Sequence, residues 1–370
     1  MYSSKFTGIG RYVFELVHHL ATTDTQNHYV LFFNEPEYSA FIPPNNRFTK
    51  VNVGAHHYSL AEQTIFLYKL FRAKLDLMHF THFNAPIFYK KKSIVTIHDL
   101  TLSFFPGNKM RSPIYRTAYK LTLGSSVRNA SNIISVSNYT ARDLQKILNV
   151  DPHKIHEIYE GVNPEFKRNE NQEEISTTLK NLKITKSYIL YTGVWRSHKN
   201  LVGLIRAFQI LKDKYHEETQ LVITGRDDPH YPEVRRTAEE SSYPEDIIFT
   251  GMVGEKDLIN LYTGAHVYAL PSFYEGFGLS PLEAMKCGTP AVVSKTSCLP
   301  EICGNDPEHP TALYFDPYDP TDMAEKLHTI SVNDEVRAKL ITNGREHVKQ
   351  FSWEKMAKET LEVYNHILKH

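Results

Sequence analysis

The sequence predicts an α/β protein built from two domains, each with a parallel sheet. Short apolar runs rich in β-branched and aromatic residues alternate with stretches of helical spacing, which is typical of parallel strands connected by helices. The chain has 370 residues, 41% of them hydrophobic, and this length favours two domains over one. A polar, charged stretch at residues 167–186 is expected to connect the two cores.

Ten strands are predicted, five on each side of this connector. Those of the first half are Tyr29–Phe33, Leu77–Phe80, Ser93–Ile97, Asn132–Val136 and Ile155–Ile158. Those of the second half are Tyr188–Thr192, Gln220–Thr224, Ile247–Thr250, Val267–Leu270 and Ala291–Ser294. At the end of the chain, apolar residues from Trp353 to Ile367 recur at i, i+3 and i+4 after Ser352, which predicts an amphipathic helix with one face to bury.

The charge of the chain is balanced overall but uneven along it. The 42 basic and 42 acidic residues cancel, which argues against a general nucleic-acid partner. Residues 1–165 nevertheless carry 18 lysines and arginines against 12 acids, and no acid occurs between Asp99 and Asp143. Basic residues stand among aromatic ones in that interval, namely Lys109, Arg111, Arg116 and Lys120. They form either a solvated helix face or a patch that meets anionic lipid headgroups or a phosphorylated acceptor.

Metal, disulfide and membrane-spanning signals are weak. Cys287, Cys298 and Cys303 have neither C-x-x-C spacing nor a nearby histidine pair, so we expect no zinc site, no disulfide framework and a reducing cytoplasm. No D-x-D motif supports a carboxylate-held metal. No apolar run approaches the roughly 20 residues that span a bilayer, so any membrane contact is expected to be peripheral, on the inner face.

The segment from Pro271 to Met285 follows a predicted strand and opens a helix. Gly276 and Gly278 let the backbone approach a ligand closely, and the N–H groups of a helix start favour a phosphate. Glu283 has a purely structural interpretation, because Ser280 and Glu283 have the spacing of a capping box. Capping does not explain Glu275, whose carboxylate would suit the hydroxyls of a sugar beside the phosphate.

Three further segments hold polar residues at predicted strand or helix ends. Arg196 and Lys199 follow the first strand of the second half, where two cations could neutralise a leaving diphosphate; a solvated loop is the alternative. His98 ends a strand of the first half, where it is either a hydrogen-bonding group in a cleft or a structural histidine. Gly8 lies in a glycine turn that opens the first helix.

Together these motifs resemble the retaining glycosyltransferases of family 4, which have the GT-B fold: two Rossmann-like domains that face each other across a cleft. The most specific match is the pair Glu275 and Glu283, separated by seven residues. The resemblance implies that Glu275 holds donor-sugar hydroxyls and Glu283 the nucleotide ribose. It also implies backbone contacts to sugar and phosphate from Gly276, Phe277, Gly278 and Leu279.

The resemblance assigns roles to the other segments as well. Arg196 and Lys199 are similar to the family's phosphate-binding pair, although many members place the arginine directly after the glycine, where this sequence has Val194. The backbone of Val253 matches the base site. His98 matches the histidine near the donor sugar, and Gly8 the glycine loop that approaches the diphosphate.

The resemblance also implies domain boundaries. We expect residues 1–166 to form the N-terminal acceptor domain, to which residues 352–370 return, and residues 187–351 the C-terminal donor domain, with 167–186 as linker. The family has a first strand ahead of the glycine loop, in the middle of the sheet, but residues 1–6 make a poor strand. We therefore expect an unpaired slot there and reduced stability or activity.

The expected activity is transfer of a hexose from a nucleotide-diphosphate sugar, GDP-mannose in preference to UDP-glucose, without a metal. The acceptor would be a glycan or a lipid-linked glycan of surface polysaccharide synthesis. Two alternatives stay open at this point. A sugar-nucleotide epimerase of the same fold would act without an acceptor, and a non-catalytic nucleotide-binding module would show no turnover.

Overall fold

A computed structural model describes residues 8–56, 59–107, 110 and 112–369, and packing divides them into two compact units. Unit 1 comprises the described residues within Met1–Leu100, Lys109–Gly161 and Phe351–His370. Unit 2 comprises those within Thr101–Asn108 and Val162–Gln350. The short segment 101–107 therefore packs with the second half of the chain, although it lies in the first half of the sequence.

The strands and helices alternate along the described residues. The strands are β1 Tyr29–Phe33, β2 Phe48–Asn52, β3 Met78–Phe80, β4 Ser93–Ile97, β5 Asn132–Ser135, β6 Ile155–Glu157, β7 Ser187–Thr192, β8 Thr219–Thr224, β9 Ile247–Gly251, β10 Val267–Leu270, β11 Ala291–Ser294 and β12 Ala312–Phe315. The α-helices are α1 Ile9–Thr23, α2 Glu37–Ala40, α3 Leu67–Arg72, α4 Thr101–Phe104, α5 Pro113–Asn129, α6 Asn138–Leu148, α7 Gln172–Asn181, α8 Leu201–Tyr215, α9 Glu233–Glu239, α10 Glu255–Gly264, α11 Leu279–Lys286, α12 Leu299–Cys303, α13 Pro320–Val332, α14 Asp334–His347 and α15 Trp353–Lys369.

Unit 2 is built on one six-stranded sheet with the order β12-β11-β10-β7-β8-β9. Every pairing in it is parallel. The central strands β7, β8 and β10 are buried almost throughout, because helices cover both faces of such a sheet. The order changes direction at β7 and β10, so the carboxyl ends of these two strands flank the point where ligands bind in open α/β sheets.

Unit 1 has two parallel sheets, β1-β2 and β3-β4-β5-β6. Among the described residues, β1 pairs only with β2 and β3 only with β4. A cavity of about 600 Å³ is lined by both β1 and β3, and residues of α1, such as Val13 and Leu16, line it as well. Residues 1–7, on which the expectation about a first strand falls, lie outside the described residues.

The C-terminal helix α15 packs against α1 in unit 1, as expected from the sequence. Its buried side chains include Trp353, Met356 and Tyr364, which follow the predicted spacing. Gly161 lies where the backbone passes close to the start of α15. A Cβ at this position would lie 2.1 Å from the backbone nitrogen of Trp353. Only a glycine fits between these two backbone segments.

Two strands were not predicted, and a helix lies where a connector was expected. The strands β2 and β12 each lie at an edge of a sheet, and the first carries polar residues at Thr49, Lys50 and Asn52 that mask its periodicity. The helix α7 lies inside the stretch 167–186 that was expected to be a connector, and it packs against α10. Its single apolar buried residue, Ile175, is too weak a signal to reveal it from the sequence.

Candidate functional site

A largely buried ion pair joins the two most informative segments of unit 2. The Lys199 ammonium donates to both carboxylate oxygens of Glu275, at 2.7 and 2.9 Å. The hydroxyl of Ser272 donates to Oε1 of the same carboxylate at 2.6 Å. The side chains of Lys199 and Glu275 are only 18% and 11% exposed, so water screens their attraction weakly. Lys199 and Glu275, which lie 76 positions apart in the sequence, therefore form one site.

The pair fixes the ionisation of Glu275. Burial on its own would raise the pKa of this carboxyl, but the Lys199 ammonium, the nearby His198 and the hydrogen bonds from Lys199 and Ser272 outweigh it. The net effect is a pKa below the ordinary range. Glu275 is therefore an anion that only accepts hydrogen bonds, as a group that binds hydroxyls requires.

Short hydrogen bonds lock the Lys199 turn to the Glu275 loop. Residues Ser197–Lys199 form a single 3₁₀ turn that ends at Asn200, which has left-handed backbone angles. The buried Asn200 amide donates to the carbonyls of Pro271 and Pro317 at 3.2 and 2.8 Å. The backbone N–H of Phe273 also donates to the His198 carbonyl at 2.7 Å. Hydrogen bonds to backbone groups therefore fix both segments that carry the ion pair, in addition to the contact between the two side chains.

The carboxyl ends of β7 and β8 approach each other closely beside this turn. The N–H of Gly193 donates to the Thr224 carbonyl at 3.0 Å. A Cβ at Gly225 would lie 2.0 Å from the Gly193 carbonyl oxygen, and Gly225 has a φ of 136°. Glycine is therefore required at Gly225 for both space and backbone conformation.

The helix α11 starts with no side chain capping it. Gly278 is its N-cap residue, with a φ of 90°, and the helix begins at Leu279. The predicted capping box is therefore wrong, because the left-handed glycine starts the helix before Ser280. The Cys298 thiol donates to the carbonyls of Glu275 and Phe277 at 3.2 and 3.1 Å, which fixes the loop ahead of the helix. An uncapped helix start of this kind favours an anion.

Glu283 is buried in the first turns of α11, and its carboxylate accepts a hydrogen bond from a tyrosine. The Tyr262 hydroxyl donates to its Oε2 at 2.9 Å, and Thr192 lies 2.8 Å from the same hydroxyl. Burial and the neighbouring Glu283 carboxylate raise the pKa of Tyr262 well above its ordinary value, so the hydroxyl stays protonated and can donate. Since Glu283 does not cap the helix, capping does not account for a carboxylate buried at this position.

Arg196 and Val253 lie at other parts of unit 2. The Arg196 guanidinium, 45% exposed, forms an ion pair with Asp228 and lies over the Tyr231 ring, 5.6 Å from its centroid. Arg196 thus does not share the carboxylate that Lys199 binds. Val253 follows β9 in a partly exposed loop. The roles predicted for both residues stay predictions.

Unit 1 places His98 and Gly8 as the sequence suggested. His98 directly follows β4 and is buried. Its Nδ1 lies 2.9 Å from Glu160 and its Nε2 3.1 Å from the Thr81 carbonyl oxygen. Gly8 is the N-cap of α1, with a φ of 74° that a glycine adopts without strain. Sequence reasoning missed Glu160, because nothing in its spacing relates it to His98, 62 positions earlier.

The basic patch is described only in part. Lys109 and Arg111 lie outside the described residues. Arg116 and Lys120 are exposed on α5, and the Arg116 guanidinium donates to the Met110 carbonyl at 3.3 and 3.4 Å. Ile114, Tyr115 and Leu121 are exposed on the same helix.

The described residues offer neither a metal site built from clustered side chains nor a membrane-spanning helix. They contain no cluster of three or more histidine, cysteine, aspartate or glutamate side chains that could hold a metal ion. Within the same part of the chain, no helix is both long and apolar enough to cross a membrane.

Comparisons with known families cover nearly the whole chain. Residues 173–347 match the family "Glycosyl transferases group 1", and residues 6–166 match "Glycosyltransferase Family 4". The chain is 28% identical over 377 residues to O-antigen chain mannosyltransferase B of Escherichia coli, covering 97% of this chain and 96% of that protein. It is 26% identical over 280 residues to the serotype-specific mannosyltransferase WbdA of Escherichia coli, covering 75% of this chain but 34% of that longer protein.

Solved structures share the fold at low sequence identity. Sucrose-phosphate synthase from Thermosynechococcus elongatus superposes with a TM-score of 0.79 at 22% identity, covering 98% of this chain and 94% of that one. Anabaena HepE in complex with UDP and glucose superposes with a TM-score of 0.75 at 16% identity, covering 98% and 97%. These similarities establish an α/β GT-B fold with two Rossmann-like domains.

Proposed function

Because the chain belongs to the family 4 (group 1) glycosyltransferases, we propose that it transfers a hexose from a nucleotide-diphosphate sugar to a glycan or lipid-linked acceptor. The observation that supports this proposal best is the largely buried Lys199–Glu275 pair next to the uncapped start of α11. It combines a cation and a helix start for the phosphates with an anion for the sugar hydroxyls. A nucleoside diphosphate sugar needs both.

The hydrogen-bond capacity of Lys199 fits a shared role. An ammonium group has three N–H donors, and two of them go to the carboxylate of Glu275. The third is left for a donor phosphate. In this proposal Lys199 contacts both the Glu275 carboxylate, which binds the sugar, and the diphosphate, which leaves. The negative charge that develops on the diphosphate is then stabilised by a cation that is already in position.

The proposed reaction retains the configuration of the anomeric carbon. The bond between that carbon and the diphosphate oxygen breaks, and the electron pair goes to the diphosphate. The acceptor hydroxyl attacks from the same face and gives its proton to the departing diphosphate oxygen. Lys199, Arg196 and the N–H groups of α11 stabilise the leaving charge, while Glu275 orients the sugar and Glu283 the ribose. His98 and Gly8 are proposed donor contacts from unit 1, and the backbone of Val253 is proposed to bind the base.

We favour mannose carried by GDP, for incorporation into a surface polysaccharide. The support comes from O-antigen mannosyltransferase B, a relative matched over nearly its full length. A thermal-shift screen across GDP-mannose, UDP-glucose and other sugar nucleotides tests the choice, since a ligand that binds only the folded state raises its apparent stability with concentration. A shift with UDP-sugars but none with GDP-mannose would reverse the assignment.

Incubation with donor alone and with an acceptor tests the reaction class. A transferase consumes donor in the presence of an acceptor and releases the nucleoside diphosphate. A new sugar nucleotide formed from donor alone would indicate an epimerase, and donor binding without turnover across a broad acceptor panel would indicate a binding module. The variant Lys199→Ala is the matched negative control for each measurement.

We also propose that α5 carries this enzyme on the cytoplasmic face of an anionic membrane. The exposed apolar residues Ile114 and Leu121 stand on the same helix as the exposed Arg116 and Lys120. Such a combination inserts apolar groups among headgroups while cations bind anionic lipid.

Co-sedimentation with vesicles tests this attachment. Vesicles containing phosphatidylglycerol are expected to bind the chain at low salt, and binding should weaken as salt screens the charges. The double variant Arg116→Glu/Lys120→Glu should bind less. Lys146→Glu, an exposed lysine on α6, is the matched control and should bind normally. Equal binding by all three proteins would refute the proposal.

A further inference from the structure

Both ring nitrogens of His98 face oxygen atoms that accept hydrogen bonds. Nδ1 lies 2.9 Å from Oε1 of Glu160, and Nε2 lies 3.1 Å from the carbonyl oxygen of Thr81. A neutral imidazole has one donor nitrogen and one acceptor nitrogen, so it can satisfy only one of these two contacts. A carbonyl oxygen has no hydrogen to offer, and neither has an ionised carboxylate.

The burial of Glu160 also favours a positively charged His98. This carboxyl group is only 3% exposed, and His98 is 8% exposed. In the part of the chain that the structure describes, no lysine or arginine forms an ion pair with Glu160. A buried carboxylate without an opposite charge is strongly disfavoured. Both hydrogen bonds need one proton beyond a neutral ring and a carboxylate, and it lies either on Glu160 or on His98. Imidazole is the stronger base, since ordinary histidine has a pKa of about 6.5 and ordinary glutamate one of about 4.3. A doubly protonated His98 supplies the opposite charge and satisfies both hydrogen bonds at once.

The other groups around His98 do not compete for this role. The Tyr12 ring of α1 packs on it in a T-shaped contact with centroids 4.8 Å apart, and the Tyr12 hydroxyl lies 3.1 Å from Thr96. His79 of β3 is neutral, because burial lowers its pKa to about 3. Asp99 follows His98 along the chain and is partly buried.

We propose that Glu160 is a positioning residue that holds His98 as a fixed imidazolium at the carboxyl end of β4. Both N–H bonds of the ring are then committed inside unit 1, so His98 transfers no proton. What it offers a ligand is a positive charge, which suits the anionic donor. This role for His98 in donor binding rests on the proposed function, whereas its ionisation state does not.

Histidine side-chain NMR of the full-length protein tests the ionisation state. In long-range ¹H–¹⁵N spectra of uniformly labelled protein, both His98 nitrogens should show imidazolium shifts at pH 7.5, with the signals assigned by loss in His98→Gln. Glu160→Gln should convert the ring to a neutral tautomer, because the new amide can donate to Nδ1. Glu157→Gln, at an exposed position in β6, is the matched control and should leave His98 protonated. A neutral His98 in the parent protein would overturn the proposal, even if the variants failed to fold.

Kinetics separate this role from a merely structural one. Glu160→Gln is expected to lower kcat/KM for the donor by roughly ten- to a hundredfold, the value of one hydrogen bond or contact to a charged group. The loss should be carried mainly by the donor KM, and Glu160→Asp should restore part of it. An unchanged donor KM in a folded Glu160→Gln variant would contradict the inference. An imidazolium in a chain without any turnover would instead count against the proposed function alone.

Discussion

Replacing Lys199 by alanine should separate the stability of this site from its chemistry. The substitution leaves the Glu275 carboxylate buried, with Ser272 as its remaining side-chain donor in the described contacts. Breaking a largely buried ion pair from one side costs roughly 2–4 kcal/mol of unfolding free energy at pH 7. Turnover should fall roughly 10²- to 10³-fold, the usual cost of removing one group that stabilises a developing negative charge.

The sign of the pH dependence follows from the two pKa values of Glu275. In the parent protein the folded pKa lies below the unfolded value of about 4.5, so the stabilisation is fully present above that pH and is lost as the pH falls through the folded pKa. In Lys199→Ala burial becomes the main influence and raises the folded pKa above the unfolded one. The unfolding free energy of the variant is then lowered at neutral pH, and this loss disappears as the Glu275 carboxyl becomes protonated. The stability deficit should therefore be largest at pH 7 and shrink towards pH 4.

Urea unfolding of both proteins at pH 7 and pH 4 measures this change. The double variant Lys199→Ala/Glu275→Gln provides the control, because removing the orphaned charge should recover much of the stability at pH 7 while activity stays lost. Coupling between two contacting residues is expected to be non-additive in this way. A deficit that stays constant with pH would refute the reasoning about the pair, and near-normal turnover of Lys199→Ala would refute its role in the reaction.

Two further substitutions test the packing of the chain, one in each unit. Gly225→Ala should destabilise the chain by more than about 2 kcal/mol in a thermal unfolding scan, because its Cβ would meet the Gly193 carbonyl oxygen. Gly254→Ala is the control and should be nearly neutral in the same scan, because the space around Gly254 is open. Burial lowers the pKa of His79 to about 3 in the folded chain, so below the ordinary histidine pKa of 6.5 the unfolded chain binds a proton that the folded chain does not. The unfolding free energy therefore falls as the pH drops below 6.5. His79→Gln should reduce the slope of unfolding free energy against pH, measured by urea titration, by about one proton, and an unchanged slope would contradict the assignment.

Local motifs made much of the candidate site in unit 2 predictable. Glu275 and Glu283 are close in sequence, and the strand before them and the helix after them fix their relation. Lys199 could be placed beside them because the carboxyl ends of neighbouring parallel strands meet at one edge of a sheet. Periodicity likewise revealed the buried strands, since their apolar runs are dictated by burial on both faces.

Contacts between distant parts of the chain could not be predicted. No pattern in the sequence relates His98 to Glu160, Tyr262 to Glu283 or Arg196 to Asp228. The same holds for the segment 101–107, which belongs to unit 2 because Phe104 and Phe105 pack against Tyr274 and Phe273. Such pairings depend on how the elements pack, and a single sequence carries no periodic signal for them.

Lys199 and Arg196 differ in how firmly they are placed, and in the proposed reaction this difference suits them to different tasks. Lys199 is only 18% exposed and is bonded to Glu275, so its charge is in position before a ligand arrives and would cost no reorganisation when the diphosphate leaves. Arg196 is 45% exposed and its ion pair with Asp228 is screened by water, so that pair is worth little and exchanges readily for a phosphate. The guanidinium, which can bind phosphate through two N–H groups, is therefore suited to capturing the donor, and the ammonium to stabilising the leaving group.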